Sequence, residues 1–185
     1  YFSRDITLCD KYPVITNLWK WLQKCSKGDI IGLPRLAVGE CLDDFKFDCI
    51  EAKHLMGFYV NTGVAVPRLT MTERAKKSNL DSQLTRIAEN LWKIKHWRII
   101  CGDWSALTNV KSTWFIDPPY QFGGEYYRHN SIDYNQLRRW ATKRAGQVIV
   151  CENTKADWIN VSPIYNLSGQ SKNTVEGVWI PAREV

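Results

Sequence analysis

No run in this chain of 185 residues is apolar for long enough to span a bilayer, and no signal peptide precedes Tyr1, so no membrane partner is expected. There is no Cys-x-x-Cys pair, and the three histidines (His54, His96 and His129) stand far apart without ligand spacing. A metal site is therefore not expected. The six cysteines are scattered; Cys9, Cys101 and Cys151 fall in apolar, strand-like runs and read as buried thiols of a reducing cytoplasm. Internal repeats and low-complexity tracts are lacking too.

What the chain does have is enough length for one domain with a full core and an unusual supply of aromatics, nine tryptophans and eight tyrosines. Most such rings fill cores, but Tyr and Trp also make stacking surfaces for bases. The net charge of +6 permits a polyanionic partner without requiring one.

Strand and helix patterns alternate. Ile6–Asp10 reads as a short strand ending in an acid, and the spacing of Ile15, Leu18, Trp19, Leu22 and Cys25 predicts a helix over residues 12–25. Residues 26–48, with Gly28, Gly32, Pro34 and Gly39, read as irregular; a helix over Ile50–Tyr59 and a polar loop over Asn61–Asn79 follow. Asp81 is expected to cap a helix whose inner face carries Leu84, Ile87, Ala88, Leu91 and Trp92. Arg98–Cys101 and Thr113–Ile116 are expected strands, the second buried. Asp133 with Gln136 predicts the start of a helix that Gly146 closes, with Arg138, Arg139, Lys143 and Arg144 on its outer face. Gln147–Cys151 is a further strand, and Tyr165–Ser168 with Val175–Ile180 a terminal hairpin. The alternation implies an α/β fold with a mostly parallel sheet covered on both faces, whose ligands lie beyond the carboxyl ends of the strands. Asp10, Asp103 and Asp117 all stand at such ends.

Asp117-Pro118-Pro119-Tyr120 carries the most specific chemistry. Two prolines stop the strand and fix the backbone, holding an acid and an aromatic side by side. An exocyclic amine on an aromatic ring is a poor nucleophile, because its lone pair is delocalised. The Asp117 carboxylate and the Pro118 carbonyl are suited to hold its hydrogens and favour a pyramidal nitrogen, while Tyr120 stacks on the ring. A base within a duplex must first be flipped out.

The motif resembles the Asp-Pro-Pro-Tyr of adenine-N6 DNA methyltransferases. Ile6–Asp10, Cys101-Gly102-Asp103-Trp104 and Gln147–Asn153 extend the similarity to phage- and prophage-encoded members of the Dam-like group, over Tyr1 to about Trp158. The resemblance implies a Rossmann-like fold of the S-adenosylmethionine-dependent methyltransferases. It also implies a cytoplasmic, bacterial or phage-infected, setting and methyl transfer to N6 of adenine in DNA without a metal. It assigns Asp10, Lys11, Asp103, Trp104 and Asp117 to the cofactor, Asp10 on the ribose hydroxyls and Asp103 and its apolar neighbour on the adenine. Asp117, Pro118, Pro119 and Tyr120 become catalytic. Residues 26–80 of the single domain 1–185 are expected to be an inserted target-recognition region. Arg68, Arg74, Lys76 and Lys77 within it, and Tyr126, Arg128 and His129 after the motif, are expected to contact nucleic acid, mostly at phosphates.

One departure stands out. The family opens with a strand and a glycine-containing loop that cradles the methionine part of the cofactor. Neither Gly28–Gly32 nor Gly169–Gly177 has that strand-then-helix context. The expectations that follow are a fragment of a longer product, a second polypeptide completing the cofactor site, or a DNA-binding or partner subunit without catalysis. An RNA adenine methyltransferase is a further alternative. Plainer roles also fit individual residues: Asp10 and Asp103 as turn caps, the basic loop as a solvated face.

Overall fold

The computed structural model of this chain describes residues 5–168 and 173–182. The protein is mixed α/β, with one small parallel sheet and one mixed sheet. It divides into two compact units, the division falling between Trp104 and Ser105.

The first unit begins with β1 (Thr7–Asp10) and α1 (Pro13–Leu22), where Pro13 takes the first helical turn that proline's fixed φ suits. The segment after it, expected to be irregular, contains a short helix, α2 (Lys27–Ile31). Ser26 accepts the Asp29 N–H while Asp29 accepts that of Ser26, a reciprocal cap that nucleates the turn. Gly28 lies inside α2 and Gly32 at its C-cap, so neither belongs to a strand-to-helix loop. α3 (Ile50–Tyr59) has the bounds expected of it. A single turn, α4 (Glu73–Lys76), interrupts the loop expected over residues 61–79, because the Thr72 hydroxyl accepts the Ala75 N–H. α5 (Leu80–Asn90) is capped by Asn79 rather than Asp81: the Asn79 side chain accepts the Ser82 N–H at 3.0 Å. Asp81 falls in the first turn, where its charge suits the helix dipole. β2 (Arg98–Cys101) lies parallel to β1, with Asp10 opposite Cys101.

The core of this unit is a single cluster that includes Leu18, Leu22, Ile30, Met56, Val60 and Leu84. It draws on α1, α3, α5 and the stretch between residues 26 and 80 alike. Each such aliphatic side chain contributes about 1.5–3 kcal/mol when fully buried. Trp92, expected on the inner face of α5, is 59 % exposed. The α-helix ends at Asn90, and residues 91–94 continue as a tighter turn that rotates Trp92 off the apolar stripe. Cys101, expected to be buried, is exposed at the end of β2.

The second unit comprises β3 (Ser112–Ile116), α6 (Tyr134–Thr142), β4 (Gly146–Asn153), β5 (Ser162–Ser168) and β6 (Asn173–Trp179). Its sheet runs in the order β3-β4-β6-β5. β3 is parallel to β4, and the β5–β6 hairpin is antiparallel, with β6 against β4. Gly177 lies in β6, and Gly169 lies outside the described residues. The Asp133 carboxylate caps α6 by accepting the Gln136 N–H at 2.8 Å. The helix ends at Lys143, before Gly146, which opens β4 instead of closing α6. Gly146 has φ +97°, and a Cβ there would fall 2.0 Å from the Ser112 carbonyl oxygen. Alternation along β3 turns Trp114 and Ile116 to one face, where they are partly buried, and leaves Phe115, expected inside, 66 % exposed on the other.

Candidate functional site

Parallel pairing aligns Ile116 with Val150, which sets Asp117 at the carboxyl end of β3 beside the last residues of β4. The two prolines end the ladder there, and the chain turns through Tyr120 into a loop. This turn is clasped from several sides. The Tyr134 hydroxyl, on α6, donates to the Pro119 carbonyl at 3.0 Å, one residue along from the carbonyl of Pro118. The Glu152 carboxylate, on β4, accepts the Gln121 N–H at 3.1 Å. The Asn153 amide donates to the Phe122 carbonyl at 2.6 Å. Gln121 and Asp157 exchange two further bonds, of 2.7 and 3.0 Å. Gly124 closes the turn: a Cβ there would lie 2.3 Å from the Tyr120 carbonyl oxygen, so any larger residue displaces the loop.

The electrostatics of the turn are dominated by acids. Surrounding protein partly desolvates the Asp117 carboxyl, although the residue stays open to water, and this raises it above the usual carboxylate range. Burial, with Asp117 and Glu176 nearby, pushes the phenols of Tyr120 and Tyr127 upward. The Cys151 thiol rises to about 11 for the same reasons, burial first. Asp117, Tyr120, Tyr127, Cys151 and Glu176 therefore share one electrostatic environment at the strand ends. Such a site favours neutral hydrogen-bond donors and rings over anions. Glu176 and Tyr134 carry no sequence signal, whereas Tyr127 belongs to the loop that directly follows the motif; pairing of β6 with β4, Glu176 opposite Asn153, is what brings Glu176 here.

The loop after the motif folds on itself through Tyr127 N–H to Gly124 (3.2 Å) and Asn130 to Glu125 (2.7 Å). It presents Phe122, Tyr126 and Tyr127 at 50–78 % exposure, with Arg128 and His129 also exposed. Aromatic and basic side chains thus stand together directly after the motif.

In the first unit, Asp10 and Asp103 occupy the ends of neighbouring parallel strands. One oxygen of Asp10 accepts the Tyr12 N–H at 2.7 Å, and Gly102 N–H bonds the Asp10 carbonyl at 3.0 Å. Lys11 pairs with Asp103 at 3.0 Å, largely in solvent, a contact of little energetic weight. Two carboxylates with an adjacent half-buried Trp104 form an acceptor and stacking set that fits the hydroxyls and ring of a nucleoside. The basic residues Arg68, Arg74, Lys76 and Lys77 are exposed on a segment pinned by buried Met71 and Ala75 and by the clip of residues 40–42 against 69–71. Among the described residues no cluster of His, Cys, Asp and Glu is arranged for a metal, and no helix is long and apolar enough to cross a membrane. No protein-family model matches the chain, and no curated protein matches it in sequence.

Proposed function

We propose that this chain is a DNA adenine-N6 methyltransferase acting on a flipped-out adenine with S-adenosylmethionine as donor. The observation that carries the reading is the clasped Asp117-Pro118-Pro119-Tyr120 turn at the end of a parallel strand, with carboxylate and ring in one environment. The donor supplies an electrophilic methyl group when bound. Asp10, Asp103 and Trp104 are the residues that would hold its nucleoside part.

The remaining steps belong to the chain's own residues. Tyr120 stacks on the adenine. The Asp117 carboxylate and the Pro118 carbonyl each accept one N6 hydrogen, which favours a pyramidal nitrogen and aims its lone pair. As nitrogen takes the methyl group, whose bond to the donor's sulfonium sulfur would break and leave a neutral thioether, the amine sheds a proton, and Asp117 is the base beside it. Arg68, Arg74, Lys76 and Lys77 grip phosphates, while Tyr126, Arg128 and His129 meet the strand near the extruded base.

The test is incorporation of labelled methyl into DNA, with a matched RNA strand as the comparison substrate. Asp117→Ala should abolish incorporation while leaving the circular dichroism spectrum unchanged. A mutant that labels DNA at the wild-type rate would sink the mechanism, and preferential labelling of RNA would move the substrate.

A further inference from the structure

Glu152 is completely buried, 0 % exposed, at the end of β4. Its Oε2 accepts the Gln121 N–H at 3.1 Å and the Trp158 indole N–H at 2.9 Å, while Oε1 accepts the Asn153 N–H at 2.8 Å. An acid so deep in a fold costs stability unless it is fully hydrogen-bonded, and an apolar side chain commonly serves packing better. Its presence is therefore explained by what it holds.

The motif itself can be gripped from few directions. Pro118 and Pro119 have no N–H, so a hydrogen-bond acceptor can hold the turn only at Tyr120 or beyond it. Glu152 takes the N–H of Gln121, whose peptide bond carries the Tyr120 carbonyl. Tyr134 holds the Pro119 carbonyl on the other side of Tyr120. Trp158 shares Oε2 with Gln121 and packs at 5.3 Å against the Tyr134 ring, so both grips are braced by one indole.

We propose that Glu152 is the positioning residue of the base site, its buried carboxylate fixing the Tyr120–Gln121 peptide so that the Tyr120 ring and the Asp117 carboxylate meet adenine in one arrangement. This rests on the methyltransferase reading. Glu152 touches neither base nor donor; it acts through the turn.

The test compares Glu152→Leu, which fills the same space without acceptors, with Glu152→Gln, which keeps one oxygen for the Gln121 N–H. Three readouts are needed: kcat, KM for S-adenosylmethionine, and hydrogen exchange at the Gln121 amide. For Glu152→Leu, kcat should fall about 100-fold, the scale on which small misplacements act. KM should stay within about twofold, since the turn and not the donor site is disturbed. Gln121 exchange should accelerate. Glu152→Gln should restore much of kcat and of the protection, which a general loss of stability would not do. A folded Glu152→Leu protein with wild-type kcat, or equal losses in the two variants, would overturn the proposal. If the leucine variant does not fold, Trp158→Phe, which removes the indole donor that braces Oε2, decides: faster Gln121 exchange with lowered kcat supports the proposal, and unchanged values overturn it. If the wild type transfers no methyl to adenine, the function fails separately. Gln121 exchange and affinity for an adenine-containing single strand then decide, and no change in Glu152→Leu would overturn the positioning role.

Discussion

Asp117 has to be ionised to accept amine hydrogens and a proton, yet its surroundings favour the neutral form. Desolvation raises its folded-state pKa above the unfolded value, and two consequences follow. Between the ordinary carboxylate range and the raised value, the folded protein binds a proton that the unfolded chain has released. Stability falls as pH rises through that window, and ionised Asp117 is a net cost at neutral pH. Asp117→Asn should remove this pH dependence and leave the protein at least as stable at pH 7, measured by urea unfolding across pH. The same carboxyl should place the acid limb of kcat/KM, which reports groups of the free protein, above the usual carboxylate range, with activity rising as Asp117 ionises. A limb inside the ordinary range would count against Asp117 as the acceptor. The strand end before Asp117 was legible in the sequence because two prolines stop a strand whatever surrounds them. The clasp was not: Tyr134 and Glu176 reach the turn through helix and strand packing, and nothing in their local sequence announces it.

Some element bounds were legible, and those decided by neighbours were not. α3 and β2 have the bounds expected of them, while α1, despite its clear apolar stripe, stops at Leu22. The cap of α5 moved from Asp81 to Asn79 because both residue types cap well and only the final register chooses between them. Phe115 reads as a core residue in sequence, but alternation along β3 sets it on the opposite face from half-buried Trp114 and Ile116, where it stays exposed. α6 offers the clearest reversal. Arg144, expected on its outer face, is half-buried with its guanidinium 4.3 Å from the Trp140 ring and 5.5 Å from that of Trp114. Its Nε donates to the Trp140 carbonyl at 3.2 Å, and the two rings meet edge-to-face. A planar cation fits between crossed indoles where an ammonium does not. Arg144→Ala should therefore destabilise the protein by about 1–2 kcal/mol, from lost cation–π and stem packing. Arg144→Lys should recover only part of this in chemical denaturation. Equal stability of the alanine variant and the wild type would show the stack to be incidental.

For the molecule as a whole, the net charge of +6 says little until the charges are placed. The alternation of the sequence predicted an α/β fold, and the chain is mixed α/β. The antiparallel β5–β6 addition and the division after Trp104 depend on contacts between residues distant in sequence, which periodicity does not report. Charge placement distinguishes two basic groups of similar composition. Arg68, Arg74, Lys76 and Lys77 stand exposed on a segment held by Met71 and Ala75. Arg138 and Arg139 are exposed on α6. If the first group grips phosphates, each neutralised residue should lower the slope of log K against log salt by about 1 and weaken binding alike for all duplex sequences. The four-fold change to Gln should flatten that slope by about 3–4. Arg138→Gln with Arg139→Gln, an equal kind of charge removal on a face without such a role, should leave it nearly unchanged. Fluorescence anisotropy of a labelled duplex over a potassium chloride series measures both. Equal flattening per charge removed in the two variants would mean that the chain answers only to net charge. The segment over residues 68–77 would then be a solvated face rather than the DNA-binding one.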